Sequence, residues 1–412
     1  MSTCSVQRIT DLCGRAASVL TNGDVRVVVE DFGGMTPEFS YRNQHGYVNT
    51  HLIPAFRGTT CGFDPARHQD WGIKLVHELA GNFPCFPQFG NPSTKRGYEI
   101  PGCGHTAQLD WKVEKSGTRD GYCFVYSTMG GPETEHIHYE KFDILLDGHS
   151  VHYQVMRMRN DRGEDFDFGG AWHNTTGQPF IEKGCRISAS ADRYHTPVVS
   201  HDPDQREMLA LNREFSSLKD APTADGGSTD ISVVPGMIGF TDFLTGRIPQ
   251  TADLGWMSVV NPNQQSLYLT FFDGPASVAE GEFTFYFNHL WLQYGGRNYK
   301  PWASYDGGVD RVFAVGVESA ISAWGYGLDY SDEHPVLMGN PTKLTLKAGE
   351  TKTLYHGTLI GPVGSSALDE GIDSLERTDD SLVAMGKATT TFAADARFTR
   401  LRQIVAELDQ KA

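Results

Sequence analysis

Positive charge, cysteine, long apolar runs and helical periodicity are all in short supply in this 412-residue chain. Lys and Arg number 35 against 51 Asp and Glu, a net charge of −16. A field of that sign keeps a surface soluble and repels polyanions, so neither nucleic acid nor an anionic membrane is expected as a partner. A phosphorylated small molecule stays open, because one or two local arginines can outweigh the global field. Seven cysteines (Cys4, Cys13, Cys61, Cys85, Cys103, Cys123 and Cys185) are scattered, odd in number and without a CxxC pair. That pattern offers neither a disulfide framework nor a zinc knuckle, and it suits a reducing cytoplasm. The opening stretch MSTCSVQRITDLCGRAASVLTNG lacks the apolar core of a secretory signal, and no run of about 18 apolar residues exists for a transmembrane helix. No Gly-rich phosphate cradle, Rossmann or Walker pattern is present, so no nucleotide cofactor is implied.

What the chain has instead is strands. Short segments rich in β-branched and aromatic residues, bounded by Asp-Gly, Asn-Pro and Ala-Gly turns, predict strands at 24–34, 108–115, 121–129, 136–148, 151–160 and 184–190. The same signals recur at 255–262, 267–274, 283–294, 311–319, 342–349 and 351–361. Helical spacing is confined to WGIKLVHELAG (71–81), with Gly81 as its stop, and to the tail 393–412. Without a β–α alternation, a parallel doubly wound sheet is excluded. The expectation is a mainly β protein: one large antiparallel β-sandwich over 1–412, its core about 24–361, with a few peripheral helices and a C-terminal helical extension about 365–412.

Within VFAVGVESAISAW (312–324) the period of two puts Val315, Val317 and Ser319 on one face and Ala314, Gly316, Glu318 and Ala320 on the other. A carboxylate thus shares its face with the smallest side chains, which suggests space for a ligand above the sheet. Two histidines emerge from glycine-rich turns, His105 in PGCGHTAQLDW and His173 in DFGGAWHNTTGQP, the latter beside Trp172. His289, Trp291 and Gln293 share a strand face, an aromatic and polar strip that suits a sugar as well as an ordinary sheet surface. LAGNFPCFPQFGNP (79–92) is a stiff aromatic loop whose prolines rule out helix and central strand. His136 and His138 have the spacing of a metal pair but no third ligand nearby, so a solvated strand face is the better reading and no metal is expected.

In order along the chain, GNFPCFPQFG, GCGHTAQLDW, MRMRN followed by FGGAWHNTTGQP, VGVES and LTLKAGETKTLY resemble the signals of the aldose 1-epimerase (galactose mutarotase-like) superfamily, with the closest local echo in its hexose-6-phosphate mutarotase branch. The resemblance spans about residues 24–361. It implies a β-supersandwich with a sugar cleft on one sheet, Glu318 as general base at the anomeric hydroxyl, His173 as general acid at the ring oxygen and His105 as a helper that holds developing charge. It implies a small sugar as partner, a monomer or homodimer, and chemistry without a cofactor. Arg96, Trp172, His289, Trp291 and Gln293 are the candidate substrate-binding residues; Asp242 and Arg297 are further candidates. Three functions fit these signals: an epimerase that interconverts sugar anomers, a non-catalytic carbohydrate-binding or regulatory relative, and a polysaccharide-active enzyme on the same fold.

Overall fold

The computed structural model describes residues 3–10, 14–54, 56–57, 74–303, 310–364 and 366–410; Cys13, Cys61 and the start of the helix expected at 71–81 lie outside them. Two large antiparallel sheets carry the architecture. One has eight strands, in the order Arg186–Ala189, Leu254–Asn261, Ser266–Asp273, Thr351–Pro362, Val151–Asn160, Ile137–Leu146, Tyr122–Gly130 and Lys112–Arg119. The other has seven, in the order Glu214–Phe215, Arg193–His195, Thr241–Arg247, Phe287–Tyr294, Phe313–Ala320, Ala171–Gly177 and Asn82–Cys85.

The alternation read from sequence decides which faces meet. Leu244, Leu290, Leu292, Val315 and Val317 of the seven-stranded sheet pack in one apolar cluster with Met257, Val259, Tyr268 and Ile360 of the eight-stranded sheet. A five-stranded N-terminal meander, Ser5–Thr10 through Gly46–Asn49, adds Leu20, Val27 and Phe39 to the same core. The opposite face of the eight-stranded sheet is apolar too. Tyr153, Leu254 and Phe271 there are covered by Leu382, Phe398 and Leu401 from the C-terminal segment.

That segment corrects the expectation of a helical extension. It first forms a three-stranded sheet, Ser374–Arg377, Ser381–Met385 and Thr389–Ala393, and only then the helix Thr399–Asp409. Its strands are four or five residues long with exposed outer positions, so they carry too little apolar alternation to stand out in sequence. The expected N-terminal helix is also shorter, Lys74–Glu78. Gly81 beyond it has φ of 54°, and a Cβ there would meet the Thr36 carbonyl at 2.2 Å. Among the described residues no helix is long and apolar enough to cross a membrane, and Cys85, Cys103, Cys123 and Cys185 are free thiols.

Candidate functional site

The site lies on the face of the seven-stranded sheet that points away from the sandwich core. Register builds it. His289 pairs with Glu318, and His173 pairs with Phe83. The pairings Trp172 with Ser319 and Thr175 with Gly316 bracket His173 and set it opposite Glu318. Phe83, His173, Glu318 and His289 therefore form one row across four adjacent strands. Asn82–Cys85 can hold Pro84 because it is the sheet's edge strand, where a missing N–H breaks no inner ladder.

Glu318 and His173 come within 3.3 Å, Oε1 to Nε2, and both are buried. Burial pushes the Glu318 carboxyl well above the carboxylate range, with a smaller push from the Cys103 sulfur. Burial likewise lowers His173 to about 4. Burial thus disfavours the charged form of both groups. The Thr175 hydroxyl lies 3.0 Å from Nδ1 of His173, which leaves Nε2 for the glutamate. The ring stacks on Phe83 at 4.4 Å between centroids. Oε2 of Glu318 has no hydrogen-bond partner among the described residues, and Glu318 lines a hole beside it.

That hole is a cavity of about 250 Å³ lined by Glu318, His173, Trp291, Trp302, Trp324 and Phe89, among others. Small-molecule clefts run from roughly 300 Å³ upward, so this volume suits one small ring rather than a polymer segment. Aromatic faces with a few polar groups at the base suit a molecule with an apolar ring face and a hydroxylated edge. Arg297 also lines it, its guanidinium 3.4 Å from the Trp302 ring centroid and its Nε 2.5 Å from Asp310 Oδ2.

The candidates from sequence separate here. Glu318, His173 and Trp291 share the cavity. Gln293 lines an adjoining compartment. His289 sits next to Glu318 in register but is fully buried, packed on Phe89 and Phe243 at 5.6 and 5.2 Å, and burial lowers it to about 3. It is a neutral support behind the cavity wall. Trp172 does not belong to the site. As the strand neighbour of His173 it points the opposite way, fully buried and stacked on His356 at 5.2 Å, with its indole N–H given to Asn82. Arg96 is also elsewhere, ion-paired with Asp332 at 2.5 Å and not among the cavity's lining. His105 is held by Glu135, Nδ1 to Oε2 2.5 Å, and that carboxylate accepts a second bond from the Tyr139 hydroxyl at 2.5 Å. It too is absent from the cavity wall.

The small residues around Glu318 have a different purpose from the open floor expected. A Cβ on Gly316 would meet Trp291 Cβ at 2.8 Å and Glu318 Oε1 at 2.9 Å, so glycine is needed for the tryptophan and carboxylate to lie over it. Ala314 and Ala320 are packed within an apolar cluster. His136, with φ of 53°, precedes the Ile137–Leu146 strand that carries His138, so the two do not share a strand face. Sequence reading missed Tyr299, Trp302, Cys103, His201 and Trp324. The only trace is the aromatic and glycine content of YGGRNYKPW and SAWGYG, an ordinary loop signal.

No family model and no curated protein matches the sequence. Solved structures do match the fold. A provisionally assigned aldose 1-epimerase from Klebsiella pneumoniae superposes with a TM-score of 0.62 at 11% identity, covering 96% of this chain and 84% of that one. A galactose mutarotase-like protein from Clostridium acetobutylicum gives 0.59 at 13%, covering 87% and 99%. A galactose mutarotase related enzyme from Lactobacillus acidophilus gives 0.52 at 12%, covering 84% and 97%. The chain has the galactose mutarotase-like fold. No sequence-level match favours the hexose-6-phosphate branch.

Proposed function

We propose that this protein interconverts the anomers of a reducing sugar by acid–base ring opening and closure. The observation that carries the reading is the buried Glu318–His173 pair, 3.3 Å apart, at one end of an aromatic-walled cavity of single-ring size. Mutarotation takes one proton off the anomeric hydroxyl and puts one on the ring oxygen, so it needs an acid and a base on one substrate. A pair that shares one proton meets that need and ends each half-reaction with the same proton count. The working form of the pair is carboxylate on Glu318 and imidazolium on His173, one proton between them. Glu318 then takes the anomeric proton while His173 protonates the ring oxygen, and the sugar is released as the open aldehyde. Rotation about C1–C2 and the reverse transfers close the other anomer. His289 stays neutral and keeps the neighbourhood free of a competing positive charge.

The test is anomer exchange by NMR or polarimetry on a panel of aldoses. Acceleration on at least one is expected, and no acceleration on any hexose, pentose or sugar phosphate would sink the reading. Sugar binding that persists without any exchange would instead make the protein a carbohydrate-binding relative.

A further inference from the structure

Two thiols meet beside the cavity that holds Glu318, and neither takes part in the proton transfers proposed above. Cys85 lies on the edge strand two residues beyond Phe83, so it points to the cavity face of the sheet, and it is fully buried. Cys103 lies in the loop before His105, is partly exposed, and lines the cavity with Glu318, His173 and Phe89. The two sulfurs share a hydrogen bond.

The backbone holds them together. The Cys103 N–H donates to the Gly90 carbonyl at 2.9 Å, and the Thr106 N–H donates to the Phe86 carbonyl at 3.2 Å. The Gln88 side-chain amide donates to the Ile100 and Pro101 carbonyls at 2.8 and 3.0 Å. The loop passes so close to the strand end that a Cβ on Gly104, where φ is 73°, would meet the Phe86 carbonyl oxygen at 2.1 Å. Cys103 itself has φ of 60°, a left-handed conformation uncommon for its residue type. Each of these contacts ties the segment that follows Cys85 to the segment around Cys103.

The two thiols are unequal. Burial raises Cys85 well above an ordinary thiol, and the hydrogen bond to Cys103 adds to the rise. Cys103 moves the other way: its hydrogen bond with Cys85, helped by one from the Gly90 backbone, holds it below the ordinary 9.0. One sulfur is therefore accessible and more readily ionised, and the other stands protected behind it. A low-lying accessible thiol with a second thiol in reach is the arrangement of a reversible oxidation site. Cys4 and Cys123 also share a hydrogen bond, but both are buried in the apolar core. Contact without access marks that pair; contact with access marks Cys85 and Cys103.

We propose that Cys103 is a site of reversible oxidation by a hydroperoxide, with Cys85 as the thiol that resolves it into a disulfide beside the cavity. The Cys103 thiolate attacks a peroxide oxygen, the O–O bond breaks as the S–O bond forms, and the departing oxygen leaves as water or an alcohol with the proton that the thiol gave up. The Cys85 sulfur then attacks the Cys103 sulfur. The S–S bond forms, the S–O bond breaks, and hydroxide leaves with the Cys85 proton as water. The sulfurs lose two electrons and the peroxide gains them; a dithiol reductant reverses the change. Once in a disulfide, the Cys103 sulfur no longer pushes on the Glu318 carboxyl. The assignment is independent of anomer exchange.

The test treats the folded protein with hydrogen peroxide at neutral pH, blocks the remaining thiols with N-ethylmaleimide and maps the peptides by mass spectrometry. The peptides that carry Cys85 and Cys103 should be joined, and dithiothreitol should return both thiols. Cys103 should react about tenfold faster than Cys185, which burial raises to about 11. Its ionisation is then about a hundredfold below that of a thiol at 9, offset in part by greater nucleophilicity. Cys85→Ser should leave Cys103 as a sulfenic acid that dimedone traps, and Cys103→Ser should leave Cys85 reduced. If a variant fails to fold, the wild-type map decides alone. Equal rates at Cys103 and Cys185 overturn the proposal. So does a wild-type Cys103 that stays a sulfenic acid or joins a different cysteine, and so does oxidation of Cys85 at an unchanged rate in Cys103→Ser.

Discussion

Two buried groups of titratable side chains sit on opposite sides of this molecule's logic. Lys141, Asp143 and His152, from neighbouring strands of the eight-stranded sheet, are each at most 1% exposed. Lys141 Nζ lies 2.6 and 2.7 Å from the two Asp143 oxygens, and His152 Nε2 lies 2.9 Å from Oδ1. By residue type this trio looks more like a catalytic constellation than Glu318 and His173 do. Burial acts to raise Asp143, yet the lysine and histidine more than offset it and hold the carboxylate below its usual range. None of the three lines either cavity. At Glu318 the balance is reversed: burial is not offset by a cation, one oxygen has no partner, and the cavity begins there. The buried Asp143 charge is matched, and Nδ1 of His152, the trio's one atom without a partner among the described residues, faces neither cavity; buried polarity left unmatched at an opening is what is available for chemistry.

Three substitutions, read out in four measurements, test this contrast. The largest effect belongs to Glu318→Gln in the anomer-exchange assay, where loss of the base should cut kcat by about 10²–10⁴-fold. A variant that retains the wild-type rate would place the chemistry elsewhere. Next comes Lys141→Met, which strands Asp143 as an uncompensated buried charge and should lower stability by about 3–5 kcal/mol in urea unfolding, with the activity per folded molecule retained. Lost activity in the folded fraction would make the interior trio functional.

Third is the stability of Glu318→Gln, whose sign should be opposite. The folded carboxyl titrates above its ordinary 4.5, so from about pH 4.5 up to the raised folded value the native state binds more protons than the unfolded state and stability falls as pH rises. Glutamine removes that term. The variant should therefore match or exceed wild type at neutral pH, by about 1–3 kcal/mol, the cost of an unmet buried polar group. A Tm below wild type throughout would mean that the carboxylate is as well matched as Asp143. The smallest effect is expected for Arg96→Ala, which removes an ion pair with Asp332 at the protein surface. That should cost less than about 1 kcal/mol and leave sugar binding unchanged; a large rise in KM would return Arg96 to the site.

Legibility followed periodicity. The strands Val151–Asn160, Ser266–Asp273 and Phe313–Ala320 were readable because both or one of their faces alternate with core residues. The strand that carries His173, Ala171–Gly177, was not. Its inward residue Asn174 bonds Asn82 in a polar interior layer, so AWHNTTG shows none of the apolar alternation that marks a strand. The same gap put Trp172 in the site, because a turn lets neighbours converge and a strand sends them to opposite faces. Arg96 and His105 were drawn in by position in a motif order, while their actual partners, Asp332 and Glu135, lie 236 and 30 residues away.

By itself the sequence determined the mainly β fold class and which small residues share a strand face with Glu318, since these depend on local period and composition. Only the tertiary structure decided that His173 stands opposite Glu318, that Gly316 exists to let Trp291 and the carboxylate pass over it, and that Arg297 arrives already matched by Asp310. Register between strands more than a hundred residues apart is set by which faces the whole sandwich buries, and no local stretch carries that information.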